Sequence, residues 1–299
     1  MQSPSLARPA TAAWRDYLEL GKPRVVVLIV FTAVVGMFLA VPGWPAATKV
    51  LFGTLGIALA ATGAAAINHV LDRHMDAQMY RTRHRPLPTQ RVAVWQAMLY
   101  ASLLNLAAMA ILAGLVNPLT ALLTFCSLMG YAVIYTLFLK RATPQNIVIG
   151  GAAGAAPPLL GWAAVTGHLA PGALVLFLII LVWTPPHFWA LAIHRREEYA
   201  KVRVPMLPVT HGVRFTKLYI LMYTLLLAAV SLLPYAVHMS GVTYVIAAVA
   251  LDGVFLWHVW RLLMEDGGDF AMRTFRFSIW YLALLFAALL LDHYLPAVT

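Results

Sequence analysis

Charge is scarce in this chain. Only 11% of its residues are Asp, Glu, Lys or Arg, against 62% hydrophobic, and the mean hydropathy is +0.80. A soluble domain carries about 25% charged residues, so a water-soluble globule is excluded and an integral membrane protein is expected. Cysteine is scarcer still: Cys126 stands alone, which excludes an intrachain disulfide. Acidic residues number 11 against 21 basic ones. That excess could suggest nucleic acid, but the bases lie in short loops between apolar runs, which is the pattern of a membrane topology signal. Residues 1–13 lack an apolar h-region, so no cleavable secretory peptide is expected. Repeats and low-complexity linkers are also lacking. Residues 1–299 therefore read as one all-α, integral-membrane domain with residues 1–20 as a cytoplasmic arm.

What is present is apolar run after apolar run. Stretches near the roughly 20 residues that cross a bilayer fall at about 24–42, 50–71, 92–114, 118–139, 146–166, 172–194, 216–236, 242–263 and 274–294. This predicts a polytopic bundle of nine transmembrane helices. If the nine alternate in direction, 20 of the 21 basic residues fall on one side and only Lys49 opposite. The positive side is cytoplasmic, so the amino terminus is expected inside and the carboxyl terminus outside. Gly150 and Gly154 stand at the spacing that lets helices approach closely.

The second run ends in "INHVLDRHMDAQMYRTRHRPLP", residues 67–88. Asn68, Asp72 and Asp76 recur every fourth residue. Each such step turns a helix about 40° past a full circle and rises about 6 Å, so the three make one oxygen-rich stripe. Hard divalent cations such as Mg²⁺ take these oxygens and share phosphate oxygens of a substrate. Arg81, Arg83 and Arg85, with Arg73 beside the stripe, are placed to hold a phosphate. Two acids at a span end also make an ordinary headgroup-level cap. Asn68 and His69, however, lie further inside, where polar groups are costly and face the bundle interior.

A second polar cluster, "WTPPHFWALAIHRREEYAKVRVPMLP", spans residues 183–208 on the same side. His187 follows Pro185 and Pro186, which loosen the helix where protein or a cavity surrounds it. His194, Glu197, Glu198, Tyr199, Lys201 and Arg203 come next. Together the two clusters suit a polyanionic head with a hydrocarbon tail, as in a prenyl diphosphate. Asp252, in the middle of the eighth run, is costly there and acquires no role from the sequence.

"NHVLDRHMD" resembles the Asn-x-x-x-Asp-x-x-x-Asp motif of UbiA-type membrane prenyltransferases. "LGKPRVVVL", "RTRHRPLP", "YTLFLKRATPQNIVIGGAAGAAPPLLGWAAVTG" and "PPHFWALAIHRREEYAKVRVPMLPV" are similar to its haem-farnesylating branch. The resemblance implies a nine-helix bundle in the bacterial inner membrane that joins farnesyl diphosphate to a vinyl group of haem B. It assigns Asn68, Asp72 and Asp76 to Mg²⁺ and diphosphate, and makes Asp72, Asp76, His187 and Glu198 the expected catalytic set. Arg73, Arg81, Arg83, Arg85, Tyr135 and Tyr199 join the substrate contacts, with Lys140, Arg141, Lys201 and Arg203 available to haem propionates. His69, His187 and His194 are the candidate iron ligands. A haem A synthase or oxidase assembly factors are the implied protein partners. The wider superfamily carries a second Asp-x-x-x-Asp pair; here His187 and "EEY" at 197–199 stand instead, with Glu198 where Asp is common. The rival readings are prenylation of a quinone or chlorophyll precursor, and a haem-handling protein without catalysis.

Overall fold

The computed structural model describes residues 12–265 and 269–295, apart from the side chain of Arg141. All its regular elements are helical. In chain order they are α1 (Trp14–Leu20), α2 (Pro23–Leu39), α3 (Ala47–Gln78), α4 (Val94–Ile111), α5 (Pro118–Met129), α6 (Lys140–Ala142), α7 (Asn146–Thr166), α8 (Pro171–His194), α9 (Arg196–Lys201), α10 (Leu207–Thr210), α11 (Val213–Ser231), α12 (Leu233–Ala236), α13 (Val242–Met264) and α14 (Asp269–Tyr294). α4 and α5 run on as π-helices, Leu112–Val116 and Gly130–Leu139. Among the described residues eight helical stretches are long and apolar enough to cross a membrane, and α1 with α2, bent by 54°, makes the ninth.

Three departures from the expected spans position the site. α3 is 32 residues long, about 48 Å at 1.5 Å per residue, well over the roughly 30 Å hydrocarbon layer. It therefore carries Asp72 and Asp76 past the apolar run as continuous helix. Next, the first span is broken rather than straight. Lys22 sits at the break with φ +49°, a left-handed conformation that costs a non-glycine residue about 1 kcal/mol. Gly21 rests against Thr62 of α3, where an added Cβ would come within 2.7 Å of its methyl.

Third, of the two glycines expected at a close helix contact only Gly150 makes one, against a side chain, and the close backbone crossing lies elsewhere. A Cβ on Gly154 would meet nothing, and Gly150 lies under the ring of Tyr135. The tight contact joins α2 and α7. A Cβ on Gly36 would stand 2.2 Å from the Pro158 carbonyl oxygen, and one on Gly161 2.0 Å from that of Ala33. Both double prolines, Pro157–Pro158 and Pro185–Pro186, lie within unbroken helix. α8 occupies the centre, packed by α7, α11 and α14, with Leu176, Ile179 and Trp189 fully buried.

Candidate active site

Asn68, Asp72 and Asp76 lie on one side of α3, each no more than 6% exposed. Asn68 Nδ2 donates to Asp72 Oδ2 at 3.0 Å. Lys140 Nζ donates to that same oxygen at 2.5 Å, and Arg85 donates to Asp76 Oδ2 at 2.8 Å. A third cation, Lys22, donates from Nζ to Asn68 Oδ1 at 2.5 Å. No described residue bonds Oδ1 of either aspartate. The arrangement thus has three amide or carboxylate side chains, three basic side chains and two spare carboxylate oxygens, at the mouth of an apolar bundle.

Local structure explains who enters. After α3 the chain turns rather than extends, tied by Thr82 Oγ1 donating to the Asp76 carbonyl at 3.0 Å. Arg91 straps the loop's end to Asp16 of α1 at 2.5 Å. Of Arg81, Arg83 and Arg85, only Arg85 meets an aspartate among the described residues. Arg83 is exposed, with its guanidinium 4.6 Å from the centre of the Tyr80 ring. Arg81 lies in the electrostatic field of Arg85, Arg195, Tyr199 and Glu198. Lys140 is delivered by the π-helix that precedes it. Within that π-helix the Tyr131 and Tyr135 rings stack at 5.7 Å.

The second cluster reaches the first through α9. Arg195 donates to Glu198 Oε1 at 3.1 Å, while Glu198 Oε2 is buried without a partner among the described residues. Burial raises the Tyr199 hydroxyl above its ordinary pKa; Arg81 and Arg195 oppose the rise, and Glu198 and Asp72 add to it.

Other candidates lie elsewhere. Arg73 turns back to the Val70 carbonyl of its own helix at 2.9 Å. Lys201 and Arg203 are exposed. Arg203 lines a cleft of about 340 Å³ with His74 and Gln78, on the face of α3 opposite Asp72. The side chain of Arg141 lies outside the described residues. His187 is buried between α8 and α14, stacked on Trp183 at 4.2 Å and on Phe275 at 4.5 Å. His69 is buried with neither ring nitrogen partnered among the described residues, and His194 is exposed. Lys22, in the sequence only one basic residue of the amino-terminal arm, joins the site here; its position between Gly21 and Pro23 is the one signal the sequence offers.

The donor set fits Mg²⁺. That ion binds through one or two carboxylates and completes its shell with water and substrate phosphate, and two carboxylate oxygens here remain open.

Residues 29–282 match the family model described as the UbiA prenyltransferase family. The chain belongs to this family. Among its relatives, "Protoheme IX farnesyltransferase 1" of Pseudomonas fluorescens Pf-5 is 62% identical, with 95% of each chain covered. "Protoheme IX farnesyltransferase" of Nitrosococcus oceani is 59% identical over 99% of each. Solved UbiA-type chains share the fold. One described as digeranylgeranylglyceryl phosphate synthase has a TM-score of 0.78 at 19% identity, covering 93% of this chain and 98% of that one. A UbiA homolog of Archaeoglobus fulgidus, bound to GPP and Mg²⁺, has a TM-score of 0.63 at 16% identity, covering 92% and 99%.

Proposed function

We propose that this UbiA-family chain transfers the farnesyl group of farnesyl diphosphate to a vinyl group of haem B, with addition of water, giving haem O. The observation that carries the reading is the near-full-length likeness to proteins named protoheme IX farnesyltransferase. The mouth of the bundle supports the donor half. Asn68, Asp72 and Asp76 would hold Mg²⁺, which supplies positive charge against the departing diphosphate.

The chain's own residues do the rest. Arg85, Lys140 and Lys22 stabilise negative charge growing on the diphosphate as its bond to the allylic carbon breaks. Because they already sit on the aspartates and Asn68, they are oriented before substrate arrives. The apolar helices keep water from the allylic cation. A vinyl carbon of haem bonds to that cation, and water adding to the new cation, with loss of a proton, completes the hydroxyethylfarnesyl group. Tyr131 and Tyr135 offer ring faces beside the cluster, a geometry that steadies cations. Glu198, Arg195, Arg81 and Tyr199 close the second side. We place the whole chain, as one domain, in the bacterial inner membrane with its basic loops cytoplasmic, following the loop bias. A haem A synthase or oxidase assembly factor would receive the product.

The test is product analysis. Membranes containing the protein are incubated with haem B, farnesyl diphosphate and Mg²⁺, and the extracted haems are separated and weighed by mass spectrometry. A haem gaining one farnesyl group plus one water is expected. Unchanged haem overturns the reading, and a prenylated aromatic acid in parallel assays would favour the quinone-pathway branch.

A further inference from the structure

His187 is held on three sides. Trp183 stacks on one face with an interplanar angle of 19°, Phe275 stacks on the other at 29°, and Phe188 meets the ring edge-on at 4.9 Å. Trp183 is itself fixed, its indole donating to the Ser278 carbonyl at 2.8 Å. The ring's Nδ1 lies 2.6 Å from the Ser278 hydroxyl, which donates to the Phe275 carbonyl at 2.7 Å. A serine hydroxyl has one hydrogen. With that hydrogen on Phe275, both contacts are satisfied only if His187 Nδ1 carries the ring proton and donates it. Nε2 is then left with a lone pair, and no described residue bonds it.

This is the arrangement of a metal-binding histidine. One nitrogen is fixed by an outer hydrogen bond, which sets the tautomer and raises the basicity of the other. We infer that His187 Nε2 is the axial ligand that seats haem B in the bundle, and that Ser278 of α14 is the residue that positions it. The inference rests on haem B being the acceptor. The other two histidines lack the arrangement. His69 has no partner at either nitrogen, so nothing selects a tautomer, and His194 is exposed at the mouth. His187 lies seven residues deeper along α8 than His194, about 10 Å of helix rise.

The test uses the full-length protein in lipid nanodiscs, with haem B and without farnesyl diphosphate, so that no turnover is needed. Absorption and ferrous resonance Raman spectra report the iron–histidine bond, and titration gives haem affinity. His187→Gly is expected to lose the histidine signature and to regain axial ligation when free imidazole is added. Ser278→Ala is expected to keep histidine ligation while haem binding weakens by about tenfold and the iron–nitrogen stretch falls; Ser278→Thr restores both. A histidine signature that survives His187→Gly overturns the ligand assignment. A Ser278→Ala protein that matches wild type in affinity and stretch overturns the positioning role. Failure of the wild-type chain to bind haem B at all would sink the acceptor reading instead.

Discussion

Asp252 on one hand, and Asp72 with Asp76 on the other, are buried carboxylates of opposite kinds. Asp252 of α13 has both oxygens met by hydroxyls: the Ser231 hydroxyl, which also reaches the Ala228 carbonyl at 2.8 Å, lies 2.7 Å from Oδ2, and Tyr281 donates to Oδ1 at 2.6 Å. Tyr244 closes the knot by donating to the Ser231 carbonyl at 2.5 Å. No cation is within salt-bridge reach among the described residues, and α11, α13 and α14 are tied together. Asp72 and Asp76 instead face Lys140 and Arg85, and each keeps an oxygen open. Burial alone therefore does not mark a reactive acid. The proposed function rests instead on open oxygens opposite cations, an arrangement that would admit a metal ion and a second anion.

The comparison is broken or sharpened by substitution. The largest effect is expected for Asp72→Asn or Asp76→Asn. Either removes a charged ligand, and a loss of about 10²–10³-fold in kcat is predicted, with the melting temperature nearly unmoved. Arg85→Gln, Lys140→Gln or Lys22→Gln leaves the carboxylates in place but removes a cation from the diphosphate. The expected result is a smaller fall in kcat/KM for farnesyl diphosphate, about tenfold each, read by steady-state kinetics. Asp252→Ala should reverse the pattern. The buried Tyr281 hydroxyl loses its acceptor at about 1–3 kcal/mol, while Ser231 keeps the Ala228 carbonyl at 2.8 Å; the loss is seen as a lowered melting temperature, while activity per folded molecule stays near wild type. Smallest of all is Arg83→Ala, expected to change kcat/KM less than twofold, since that guanidinium lies over Tyr80 in solvent.

The sequence made some of this legible. Apolar runs gave the spans because lipid imposes a length, and the fourfold spacing gave one face to Asn68, Asp72 and Asp76 because a helix imposes a period. The arginines at 81, 83 and 85 could not be told apart, since their segment is a turn with no period to read. Arg73 was placed beside Asp72 in sequence, yet a helix turns adjacent residues by about 100°, and its side chain folds back on α3. Lys22 was hidden because its role depends on a break between α1 and α2 that brings it over Asn68. Ser278 gave no signal, being one small residue in an apolar helix until α8 packs against it. Gly36 and Gly161 were likewise invisible as a pair, since their contact is between helices far apart in the chain.

The most direct test of the central claim is binding of farnesyl diphosphate at a series of Mg²⁺ concentrations to wild type, Asp72→Asn and Asp252→Asn. Mg²⁺-dependent binding that Asp72→Asn loses and Asp252→Asn retains is the predicted result. Equal binding by all three proteins, or binding indifferent to Mg²⁺, would contradict the assignment of the open carboxylates to the metal and diphosphate.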